Sequence, residues 1–186
     1  LYRNGAEYEA HALYLFGGWD GARYVSTAYA YTREADAWRE LPSADVERGF
    51  AGAATLSDQI FVVGGYDGNR ELTTCGAYDP ASESWSTCAP LAVGRGGLGL
   101  ASVGGRLYAV GGGGWSSYLG FNERYNPDDD AWTAIETPLV REWRNPGVSA
   151  VGGSLYAVGG WSNDYLSLNQ AYEALPFRIF IPVSQQ

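Results

Sequence analysis

The chain has 186 residues, a formal net charge of -9, no lysine, one histidine and 26 glycines. That balance excludes a nucleic-acid binder, which needs a basic surface to displace phosphate counterions, and no apolar run approaches the roughly 20 residues of a membrane-spanning helix. Many aromatics and glycines with few charged runs predict short strands and tight turns, an all-β chain organised as one domain over 1–186.

The first predicted strand, residues 12–16, ends on Gly17-Gly18, and the same ending recurs after 60–63 at Gly64-Gly65, after 107–110 at Gly111-Gly112 and after 155–158 at Gly159-Gly160. The spacing defines four repeats, about 1–47, 48–94, 95–143 and 144–186. Each carries a tyrosine after its diglycine (Tyr31, Tyr78, Tyr125, Tyr172). Three carry a tryptophan seven residues later (Trp38, Trp85, Trp132), where the fourth has Ile179.

The second repeat serves as the template. Residues 49–56 are small and suit a crowded inner strand, as do Gly97, Gly99 and Ala101 in the next repeat. Residues 59–63 form the second strand and 72–78 the third, and Asp79-Pro80 turns the chain into a fourth near Trp85. Tyr78 then faces Trp85, and these rings are expected to pack between sheets rather than touch a ligand. The same register sets Cys75 opposite Cys88, close enough for a disulfide. A disulfide favours an extracytoplasmic or secreted setting over a reducing one. Residues 1–9 show no run of small residues, so the first repeat is expected to lack its inner strand, whereas 177–183 is expected to close the last repeat.

The order of diglycine, tyrosine and tryptophan resembles the kelch family across essentially the whole chain. The resemblance implies a β-propeller of four-stranded antiparallel blades, and the absent initiator methionine and inner strand favour its reading as the C-terminal part of a larger ring. WD repeats are set aside, since Gly18-Trp19-Asp20 occurs once.

Up-and-down topology puts the diglycine loops and the blade-joining loops on one face. Arg48, Arg95 and Arg144 precede the inner strands there, with Trp19, Tyr66, Trp115, Trp143 and Trp161 around them. The opposite face collects the hairpin turns with Glu34, Asp36, Asp79, Glu83, Asp128, Asp129 and Asp130, so the two faces are expected to differ in sign. Arginine and tryptophan are enriched at binding hot spots, and the three arginines match positions at which kelch domains of ubiquitin-ligase adaptors grip acidic peptides. The expected function is a non-catalytic binding module for a protein or acidic peptide. The alternative is a carbohydrate-binding or sialic-acid-epimerase-like propeller, with Glu47 or Glu142 as the base. The copper oxidases of this fold need two histidine ligands, and His11 is the single histidine, so no metal and no cofactor is expected.

Overall fold

The computed structural model describes residues 5–9, 12–113, 119, 121–136 and 144–174. These form antiparallel sheets with no helix among them. The first sheet holds β1 (Gly5–Glu9), β2 (Ala12–Trp19), β3 (Tyr24–Thr32) and β4 (Ala37–Leu41). The second holds β5 (Gly52–Leu56), β6 (Gln59–Val63), β7 (Cys75–Asp79) and β8 (Ser84–Cys88). The third holds β9 (Gly96–Val103), β10 (Arg106–Gly113), β11 (Asn122–Asn126) and β12 (Ala131–Ile135). The fourth holds β13 (Gly147–Val151), β14 (Ser154–Val158) and β15 (Asn169–Glu173). Strands pair in chain order within every sheet, and the first strands β1, β5, β9 and β13 lie side by side, as the inner strands of successive propeller blades do.

The apolar cores lie between blades. Ile60 and Val62 of β6, with Tyr78, pack on Tyr14, Phe16 and Ala28 of the first blade. Phe61 and Val63 pack on Leu98, Leu107 and Tyr125 of the third. Period-two alternation therefore sends successive residues of one strand into two different cores, which is why the strand is apolar throughout instead of alternating with polar residues. The inner strands are small for a related reason: a Cβ on Gly99 would come within 2.7 Å of the Val148 Cβ in the next blade.

The repeated geometry of the aromatics follows the register expected from the sequence. Tyr78 pairs with Trp85 and Tyr125 with Trp132, ring centroids 5.2 Å apart in both. Each tryptophan then ties its blade to the preceding one, Trp85 Nε1 donating to Pro42 O at 2.8 Å and Trp132 Nε1 to Ala89 O at 2.9 Å.

Several boundaries move: the strand expected at 72–78 spans Cys75–Asp79, and the one at 12–16 runs on to Trp19. The inner strand of the second blade starts at Gly52, not 49, because Phe50 takes a left-handed φ of 58° that interrupts extended backbone. The first blade, expected to lack its inner strand, has one: Gly5–Glu9 pairs with β2, and Gly5 lies beside Ala51 and Ala53 of β5. The sequence Gly-Ala-Glu-Tyr-Glu hides it, since only Gly5 and Ala6 are small. The expected closing strand at 177–183 and Ile179 lie outside the described residues.

Candidate functional site

Consecutive blades are buttoned together at the diglycines. Gly18 N–H donates to Arg48 O and Gly65 N–H to Arg95 O, both at 2.7 Å, so the loop of one blade holds the backbone that enters the next. A Cβ on Gly64 would sit 2.5 Å from Arg95 O, and its φ of 65° is left-handed, so glycine is required there twice over.

The arginine side chains complete the same joint from the other direction. Arg48 Nη1 donates to Gly64 O at 3.0 Å and Thr74 O at 3.4 Å. Arg95 donates from Nη1 to Gly111 O at 2.7 Å, from Nη2 to Phe121 O at 2.9 Å and from Nε to Glu123 Oε1 at 3.0 Å. Arg48 is 4 % exposed and Arg95 is fully buried. Neither guanidinium therefore lines the mouth, where ligand contact by Arg48 and Arg95 was expected. Their position before the inner strands is as the sequence indicates, but the guanidinium turns into the blade, where orphaned carbonyls at the diglycine need donors.

What opens at the mouth is a cavity of about 330 Å³ lined by Phe50, Tyr66, Glu71, Arg144, Trp161 and Tyr165, floored by the backbone of Gly96 and Gly97. Its walls are the loop junctions. Gly49 bridges to Tyr66 and Tyr66 to Glu71, while Arg144 bridges to Trp161 and Trp161 to Tyr165. The rings of Trp161 and Tyr165 meet edge to face, centroids 5.2 Å apart. Of the residues singled out from the sequence, Tyr66, Arg144 and Trp161 come together here. Trp19 stands outside the cavity, reaching it through Tyr24, which packs on both Trp19 and Tyr66. Trp115, Trp143, Glu142 and His11 lie outside the described residues.

Phe50, Glu71 and Tyr165 were not legible as site residues. Phe50 has a left-handed backbone that places it at the mouth, and Tyr165 follows its diglycine by six positions in a loop that lacks the Asp-Gly of the first two diglycine loops. The mouth loops carry Asp20, Asp67, Glu71 and Asp164, and two of these fold their own loops: Asp20 Oδ1 accepts from Ala22 N and Arg23 N, Asp67 Oδ1 from Asn69 N and Arg70 N. The Arg23 and Ala22 N–H bonds hold Asp20 below the ordinary carboxylate range.

Cys75 and Cys88 form a disulfide across β7 and β8, with a Cα separation of 5.2 Å, in the register expected from Tyr78 and Trp85. Among the described residues no group of three or more His, Cys, Asp or Glu is placed to hold a metal ion, and no helix is long and apolar enough to cross a membrane.

The kelch motif model matches residues 10–44, 47–92 and 94–139, the first three repeats. No curated protein matches the chain. The fourth repeat, outside the matched residues, shares the diglycine and the β13–β14–β15 pairing with the others, and its Arg144–Trp161 bridge takes the place of Gly49–Tyr66, so Arg144 stands one residue past the position that Arg48 and Arg95 occupy. Kelch repeats are commonly protein-interaction modules, and kelch propellers are generally non-catalytic. Three matched motifs on consecutive sheets built around one diglycine joint establish that the chain belongs to the kelch-repeat family and forms blades of a β-propeller.

Proposed function

We propose that this chain is a non-catalytic kelch interaction module, one domain over 1–186, that binds a segment of a protein partner at the mouth cavity. The observation that carries the reading is the cavity's lining, in which Phe50, Tyr66, Trp161 and Tyr165 present rigid apolar surface and Arg144 and Glu71 supply one charge of each sign. Large aromatic side chains lose little conformational freedom on binding and bury much area, which makes such clusters suited to hot spots. A volume of about 330 Å³ takes one or two side chains, not a folded surface. The segment that fits inserts an apolar or aromatic residue between Tyr66 and Trp161, with an acidic neighbour reaching Arg144. That keeps an acidic partner but moves its recognition from three arginines to one.

Selection from a displayed random-peptide library tests this. Selected peptides are expected to share an apolar anchor next to an acidic residue. The double substitution Tyr66→Ala with Trp161→Ala should weaken the best of them by about 2 kcal/mol or more, the range of hot-spot truncation. Unchanged affinity in the folded double variant overturns the reading.

A further inference from the structure

Arg48 and Arg95 occupy equivalent places 47 residues apart, and both are buried with their Nη1 on the first diglycine carbonyl of their blade. They differ in one respect. Arg95 has a carboxylate: Glu123 on β11 receives its Nε at 3.0 Å, and the second Glu123 oxygen accepts Ala92 N at 2.8 Å. The residue of β7 equivalent to Glu123 is Gly76, so the second blade has nothing to place there. Among the described residues Arg48 has no carboxylate within ion-pair distance, and its Nε is buried without a partner.

The space left by the missing side chain is a cavity of about 180 Å³, apart from the mouth, lined by Asp45, Arg48, Thr74, Gly76, Trp85 and Cys88. Thr74 Oγ1 is a second buried polar atom there with no partner. Asp45, on the rim, stands in the sequence where Ala92 stands in the next blade, so its N–H takes the place of the second donor to Glu123. Its own side chain is exposed. Burial draws Arg48 down to about 10, which leaves it charged at neutral pH. A buried, charged guanidinium with an unfilled donor is unfavourable unless an anion completes it.

We propose that the cavity beside the Cys75–Cys88 disulfide is an anion site in which Arg48 Nε and Thr74 Oγ1 bind a carboxylate on a short aliphatic arm, supplied from outside in the place that Glu123 fills in the third blade. The third blade is the template: one oxygen on the guanidinium Nε, the other on a backbone N–H three residues upstream. The walls of Trp85 and the disulfide suit an aliphatic stem, and the limited volume excludes larger acids.

Thermal unfolding of the intact chain in acetate, against chloride at equal ionic strength, reads this site directly. A saturable rise in Tm specific to acetate is expected, because a ligand that binds only the folded state stabilises it by mass action. N-acetylglutamate N-methylamide serves as the second probe: half-saturation below that of acetate assigns the carboxylate to a glutamate side chain of a bound polypeptide, the reverse to a small free acid. Gly76→Glu has room, since a Cβ there meets the Trp85 ring at 3.4 Å, an ordinary contact. This variant should melt higher than wild type in chloride and bind acetate about tenfold or more weakly. Equal responses to acetate and chloride, or an undiminished acetate response in Gly76→Glu, overturn the proposal. Should Gly76→Glu not fold, a wild-type crystal grown from acetate decides: a carboxylate on Arg48 Nε supports the site, and water alone there overturns it.

Discussion

The inter-blade tyrosines provide an internal control for the value of a single hydroxyl. Tyr125 OH donates to Asp130 Oδ1 at 2.7 Å, and Tyr31 OH to Asp36 Oδ1 at the same distance. At the equivalent position five residues beyond Tyr78 stands Glu83, whose carboxylate reaches out to Arg39 at 2.8 Å, and Tyr78 OH is left buried with no partner. All three turn residues have left-handed backbone, with φ of 46°, 53° and 44° at Asp36, Glu83 and Asp130. Tyr125→Phe removes a hydrogen bond to a carboxylate and is expected to destabilise by about 1–2 kcal/mol, discounted because Asp130 is exposed. Tyr78→Phe removes a hydroxyl whose desolvation is uncompensated and should be neutral or stabilise by up to about 1 kcal/mol. The two variants then differ by about 2 kcal/mol, or roughly 4–8 °C in Tm for a chain of this size. Glu83→Asp should bring a carboxylate to Tyr78 OH and raise Tm, against the loss of an exposed ion pair of about 0.5 kcal/mol. Calorimetry of the three variants under one condition is the assay. If Tyr78→Phe destabilises as much as Tyr125→Phe, the argument from the missing partner is wrong.

Glu123→Gln should destabilise by about 3–5 kcal/mol, since it leaves the fully buried Arg95 charge uncompensated, whereas Arg39→Gln at the exposed pair should change stability by less than about 1 kcal/mol; denaturant melts compare them. Cys75→Ser with Cys88→Ser should destabilise by about 3 kcal/mol for a loop of this length, and titration of the denatured, unreduced chain should find no reactive thiol. Asp130 is held below 3.8 by the Ala89 N–H and then by Tyr125 OH. A depressed folded pKa contributes stability that is present above the unfolded value and is lost as pH falls through the folded one. Asp130→Asn should therefore flatten the stability profile below about pH 4, a window read by melts between pH 2 and 6; an unchanged profile contradicts it.

Much of the blade architecture was legible because it is enforced by contacts that repeat with the chain. The diglycine is required by the left-handed turn and by the approach of the next blade's arginine carbonyl, so it recurs with the blade period. Tyr78, Trp85, Cys75 and Cys88 lie in one hairpin, where register follows from a single pair, and the disulfide could be derived from counting. The inner strand at Gly5–Glu9 escaped because its fit depends on Ala51 and Ala53 in another blade.

The sequence by itself determined the repeat, the all-β class, the family resemblance and the placement of the arginines at the blade junctions, because each depends on spacing along the chain. Only the tertiary structure decided where those arginines point. A guanidinium has reach enough to face the mouth or turn inward, and the choice is made by unsatisfied carbonyls at Gly64 and Gly111, which lie 16 residues away along the chain and are brought near only by folding. The same packing assembled Phe50, Glu71 and Tyr165 into the mouth and left Arg48 without the carboxylate that Arg95 has.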